Sequence, residues 1–151
     1  MKSFHLIVVG RYADSSFEQL EHHYLKQIPK NIFQLHEVKS HSENKTLEGQ
    51  EVLKKISEIE KADRAYVFLM AERGKLYSSE QLTKLIHHDL TKNLIILVIG
   101  GAAGHGEEVV RRADSELSLS PMTFPHKMAR LLLIEQFYRT LMILKSHPYH
   151  K

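Results

Sequence analysis

Short apolar runs alternate along the chain with stretches whose apolar residues recur at helical spacing, and the alternation repeats five times. Phe4 to Val9 predicts a buried strand ending at Gly10. Ser15-Ser16-Phe17-Glu18 reads as a capping box. It opens a helix with the stripe Phe17, Leu20, Tyr24 and Ile28, closed by Pro29. Ile32 to Val38 predicts a second strand and Lys39 to Lys45 a polar loop. Val52, Leu53, Ile56 and Ile59 mark one face of the next helix. Ala65 to Met70 predicts a third strand. Ser78-Ser79-Glu80-Gln81 caps a helix carrying Leu82, Leu85 and Ile86. Leu94 to Ile99 is apolar throughout, which suits a central parallel strand covered on both faces. A glycine-rich loop, Gly100 to Gly106, leads into a short helix through Val109 and Val110. Glu116 to Leu119 predicts a short fifth strand, followed by the loop Ser120 to Pro125. A long helix runs from about His126 to Lys145, and a polar tail from Ser146 to Lys151. This order predicts one α/β domain, residues 1–151, with a largely parallel sheet of about five strands flanked by helices.

The last helix departs from the amphipathic pattern. Met128, Leu131 to Ile134, Phe137, Tyr138 and Leu141 to Leu144 cover nearly its whole circumference. A helix apolar all round has to be buried all round. One domain of this size covers one face, so the other face predicts a homodimer; the alternative is a central core helix in a monomer.

Composition changes this picture little. The chain has 151 residues, 42% hydrophobic and 26% charged, the values of an ordinary globular protein. It has no cysteine, which excludes disulfides and thiolate metal sites. The first ten residues hold too short an apolar run for a signal peptide, and no run approaches a membrane span, so a cytoplasmic location is expected. The net charge of +3 permits a nucleic-acid partner without requiring one.

Three stretches carry candidate chemistry. The first is Gly100-Gly101-Ala102-Ala103-Gly104-His105-Gly106, between a strand and a helix, where α/β sheets bind ligands. It lacks the lysine of a phosphate loop, and Glu107 and Glu108 at the next helix start would repel a phosphate. It therefore suits an uncharged or cationic part of a ligand. The second is the proline-stiffened loop Ser120-Pro121-Met122-Thr123-Phe124-Pro125, whose backbone groups could read an adenine edge. The third is the polar set around the last helix and tail: His126, Arg130, Glu135, Arg139, Tyr149 and His150. Glu135 and Arg139 are four apart and best read as a structural ion pair. The doublets His22-His23 and His87-His88 point to different helix faces and cannot chelate, so no metal is expected.

Ile99-Gly100-Gly101-x-x-Gly104, Leu119-Ser120-x-x-Thr123-x-Pro125-His126, Arg130, Glu135-Gln136-x-Tyr138-Arg139 and His147-Pro148-Tyr149-His150 resemble the RlmH family of small SPOUT-class methyltransferases. The likeness runs from end to end and is most specific in the C-terminal half. It implies a SPOUT α/β fold with a C-terminal trefoil knot, an exception to the usual topology rules. It also implies a homodimer, S-adenosyl-L-methionine as methyl donor, and N3 of pseudouridine 1915 in 23S ribosomal RNA, in the large subunit or assembled ribosome, as target. By position it makes Met70, Gly101, Ser120, Pro121, Met122, Thr123, Phe124 and Pro125 the cofactor-binding residues. One departure stands out. The family usually has Leu-Asp before a Glu-x-Gly-Lys turn, and here Met70-Ala71 precedes Glu72-Arg73-Gly74-Lys75. Ala71 thus removes a carboxylate from the pocket mouth. For catalysis the resemblance points to His126, Arg139, Tyr149 and His150. Either histidine could take the N3 proton, and Arg139 or Arg130 could stabilise charge on the flanking carbonyls. The rival readings are a SPOUT enzyme acting on transfer RNA and a non-catalytic ribosome-binding module.

Overall fold

The computed structural model describes residues 2–151 and forms a five-stranded sheet in the order β2-β1-β4-β3-β5. The strands are β1 (Ser3–Val9), β2 (Phe33–Val38), β3 (Tyr66–Leu76), β4 (Leu94–Ile99) and β5 (Ser115–Ser118). Every neighbouring pair is parallel, so each connection is a crossover carrying a helix. The helices are α1 (Ser15–Leu25), α2 (Lys45–Ile59), α3 (Ser79–Lys84), α4 (Glu107–Arg112) and α5 (His126–Leu144). A π-helical turn, Leu85–Asp89, prolongs α3.

The two faces of the sheet bury alternate residues, as a pleated strand requires. Phe4, Leu6 and Val8 of β1 join Ile95, Leu97 and Ile99 of β4 in a core roofed by α3 and α5. Ile7 and Val9 join Ile96 and Val98 in a second core under Val52 and Ile56 of α2 and Val109 of α4. Strands β1 and β4, paired in register from Ser3 with Leu94 to Val8 with Ile99, form the centre covered on both sides. Among the described residues no helix is long and apolar enough to cross a membrane.

Three local expectations are corrected. The N-cap of α1 is Asp14, whose carboxylate accepts from Ser16 N at 2.7 Å, and not the Ser15 box. The inner side of α1 carries Glu21 instead of Leu20, which is 52% exposed. The third strand runs on to Leu76, because both Met70 and Lys75 pair with Leu117 around a wide bulge. Gly74 sits on that bulge, and a Cβ there would lie 2.6 Å from the Leu117 carbonyl carbon. The second capping signal is as expected: Ser78 and Gln81 exchange both bonds of a capping box.

The long helix is inserted more deeply on one side than the other. Leu133, Ile134, Phe137, Tyr138, Leu141 and Met142 are buried, while Met128 and Leu144 are 40% and 41% exposed and Leu131, Leu132 and Ile143 half-buried.

Candidate methyl-donor site

The bulge of β3 and the loops at the C-terminal ends of β4 and β5 line a cavity of about 690 Å³. Open α/β sheets bind ligands at this end, and the volume is that of a small-molecule site. The β4 loop turns back on itself through Gly104 N to Gly101 O, 3.0 Å. His105 then ties it to β3 at the start of the bulge, with Nε2 2.8 Å from the Met70 carbonyl oxygen. The β5 loop is shaped by its own serines. Ser118 Oγ donates to Ser120 O at 2.8 Å, and Met122 N donates to Ser120 Oγ at 3.0 Å, so serine side chains stand in for a regular turn.

Seven of the eight expected cofactor residues meet here: Met70, Gly101, Ser120, Met122, Thr123, Phe124 and Pro125 line the cavity. Pro121 is exposed and outside its wall. Met70, Leu119, Met122 and Phe124 give the cavity apolar surface, and glycines 100 and 101 leave backbone open to close approach. The carboxylates of Glu72 and Glu116 also stand in the wall. With Arg73 in the same wall they leave an excess of one negative charge that the Ala71 position does not supply, so the residues fit a flat, uncharged purine joined to a cationic end. Gly101 also packs against Glu48: a Cβ there would meet Glu48 Oε1 at 2.7 Å.

The expected catalytic residues fall into two groups. His126 opens α5 and lines the cavity. Arg139 is 13 residues further along the same helix, which places it roughly 20 Å away. There it builds a cluster with the tail. Arg139 Nε and Nη2 donate to Glu135 Oε1 at 3.1 and 2.6 Å, and Tyr149 donates to the same oxygen at 2.8 Å. Arg139 stacks over the Tyr149 ring at 4.8 Å. Burial and the Glu135 carboxylate push the Tyr149 hydroxyl up, so it stays protonated and is no base. His150 Nδ1 faces Arg139 Nη1 at 3.2 Å, and its Nε2 faces Glu80 at 2.7 Å. An arginine can only donate, so this pose engages Nδ1 as acceptor and leaves the Nε2 proton for Glu80. Within one chain, therefore, His126 is at the cavity while Arg139, Tyr149 and His150 are not.

Arg130, one of the two arginines expected to stabilise charge, is held in a buried ion-pair network and also lines a second cavity. It is 3% exposed. Nε and Nη2 bridge both oxygens of Glu21 at 2.7 and 2.8 Å, and Nη1 reaches Glu37 at 2.8 Å. Its guanidinium lies 4.0 Å from the Tyr12 ring centre. These contacts pin α5 to α1 and β2. The His87 of the expected non-chelating doublet packs edge-on against Phe4 and faces Thr140 Oγ1 at 3.2 Å. Sequence reasoning missed His105, Glu21 and Glu48, whose parts depend on contacts distant in sequence.

A parallel sheet with glycine and proline loops gathered at one end of β3, β4 and β5 defines the class: an α/β enzyme fold built to hold a small ligand at its strand ends. A family model described as "Predicted SPOUT methyltransferase" matches residues 1–150. The chain is 43% identical over 132 residues to the Ribosomal RNA large subunit methyltransferase H of Christiangramia forsetii, covering 85% of this chain and 81% of that one. Two solved structures share the fold at low identity. One is a probable methylase family protein from Haemophilus influenzae, with TM-score 0.60, 12% identity, and 99% of this chain and 71% of that one covered. The other is the Ribosomal RNA small subunit methyltransferase E of Neisseria gonorrhoeae bound to S-adenosyl methionine, with TM-score 0.52, 11% identity, and 91% and 66% covered. The chain belongs to the SPOUT methyltransferase family.

Proposed function

We propose that residues 1–151 act as one SPOUT domain that methylates N3 of pseudouridine 1915 in 23S ribosomal RNA, using S-adenosylmethionine. The observation that carries this reading is the convergence of Met70, Gly101 and the Ser120 to Pro125 loop on one cavity of about 690 Å³. The names of the relatives point the same way: a large-subunit ribosomal RNA methyltransferase and a methyltransferase bound to the same donor. When bound, S-adenosylmethionine supplies an electrophilic methyl carbon. The chain's own part is to hold that carbon against a deprotonated ring nitrogen. His126, which lines the cavity, is the one of the two expected bases that a single chain brings to it. The remaining apolar stripe of α5, from Met128 to Leu144, supports a homodimer. A dimer would bring a second tail, with Arg139, Tyr149 and His150, to a cavity it cannot reach in its own chain. The test is mass mapping of 23S RNA from a deletion strain, with and without the restored gene. Loss of one methyl group at that pseudouridine, and its return, is expected; an unchanged 23S map with a methyl group missing from transfer RNA would refute the target.

A further inference from the structure

Beside the donor cavity lies a second one, of about 820 Å³, over the C-terminal ends of β1 and β2. Gly101, Ala102 and His126 belong to the walls of both, so they form the partition. Arg11, Lys39 and Lys127 stand on the rim of the second cavity, and none has a carboxylate partner among the described residues. Glu48 also lines it, at 2% exposure. Its Oε2 accepts from Ser40 Oγ and from His41 N, both at 3.0 Å. Its Oε1 is buried with no hydrogen-bond partner. The other buried carboxylate, Glu21, lies on the opposite face of the sheet, under α5, and is fully bridged by Arg130. A buried acceptor without a donor is a net cost to the fold, so its persistence needs a reason. A carboxylate can only accept, so whatever completes it must bring an N–H or O–H.

We infer that the second cavity receives the target pseudouridine and that Glu48 Oε1 accepts the N1–H of its ring. This rests on the target proposed above. N3 must face the donor cavity and give up its proton, so it needs the base and not a permanent acceptor. N1–H keeps its proton. N1 and N3 flank the same ring carbonyl, so both can face one partition. In uridine N1 is the glycosidic nitrogen and carries no hydrogen. A buried acceptor at this place therefore separates the two nucleosides, because the wrong one leaves Oε1 unpaired. The glycine at 101 fits this use. Any Cβ would sit 2.7 Å from Oε1 and close the approach to it. Glu48 apart, Arg11, Lys39 and Lys127 outnumber the acids Glu43 and Arg130-paired Glu37 in this lining, and that excess suits the phosphates on either side of the base. The donor's own ammonium is the lesser match, since Glu48 is in the wall of the second cavity and not of the first.

The test uses ribosomes reconstituted from 23S RNA carrying pseudouridine, uridine or 1-methylpseudouridine at the target. Wild-type protein should methylate pseudouridine at least ~100-fold faster, in kcat/KM, than 1-methylpseudouridine, whose N1 has no hydrogen. Glu48→Gln, nearly isosteric, should lose ~100-fold on pseudouridine with unchanged S-adenosylmethionine affinity and thermal midpoint. Glu48→Ala should treat the two pseudouridines within about threefold of each other, as expected once the discriminating acceptor is gone. Equal wild-type rates on both overturn the inference. So does a Glu48→Gln protein whose donor affinity falls as far as its activity, which would assign the carboxylate to the donor. A wild-type protein that binds S-adenosylmethionine but leaves the pseudouridine ribosomes unmethylated overturns the target reading, and this assignment with it.

Discussion

Replacing Arg130 by methionine separates a structural arginine from a catalytic one. Its guanidinium bridges Glu21, whose side chain is 7% exposed, and Glu37, whose side chain is 41% exposed. Methionine keeps most of the buried stem but leaves Glu21 charged and unpaired inside the fold. Removing one partner of such a pair costs about 3–5 kcal/mol. Glu37 turns to solvent and adds at most about 1 kcal/mol. With a urea slope of about 2 kcal/mol per molar, the unfolding midpoint should fall by about 2 M. The double variant Arg130→Met with Glu21→Gln should recover more than half of that loss, because the stranded charge is then gone. Urea titrations followed by circular dichroism measure all three proteins. An Arg130→Met protein with the wild-type midpoint and greatly reduced methyl transfer would refute the reasoning and return Arg130 to the active site.

Gly101→Val should abolish S-adenosylmethionine binding by calorimetry while far-ultraviolet circular dichroism stays native, because the new side chain must push the Gly100 to Gly104 loop out of place in the cavity wall. Deleting Tyr149 to Lys151 should leave donor affinity and a sedimentation mass of about twice 17.5 kDa unchanged, yet lower methylation by ~10²-fold. Mixing that truncation with Gly101→Val should restore part of the activity if tails work across the dimer; no recovery in proven heterodimers would place the tail's action within one chain. Stability should fall as pH drops from about 6.5 toward 4. Burial holds His5 and His87 down to about 4, so the unfolded chain binds more protons throughout that window. At pH 5 each contributes about 2 kcal/mol of destabilisation, and His87→Gln should flatten the melting-temperature profile between pH 7 and 5; an unchanged profile would show that His87 titrates normally.

The alternation of strands and helices was legible from periodicity alone, because a parallel sheet needs a crossover helix after each strand and both faces buried. β4 is the clearest case, since its unbroken apolar run Leu94–Ile99 fits only a strand covered twice. The loops that line the cavity at the strand ends were legible from glycine and proline, whose backbone demands are local. The Ser78 box was legible for the same reason, but the Ser15 box was not: Asp14, one residue earlier, caps the helix through Ser16 N and moves its start. What the sequence could not decide is where polar side chains meet across long separations. Arg130 and Glu21 are 109 residues apart, and nothing in either segment reports their bond. His126 and Arg139 sit on one helix and look like one site, yet its rise per residue holds them at opposite ends. Glu48 follows an ordinary N-cap at Asn44 and reads as a solvated first-turn acid favoured by the helix dipole. Only the packing of α2 against the β4 loop buries its carboxylate under Gly101, because burial belongs to the assembled sheet and not to any one stretch of chain.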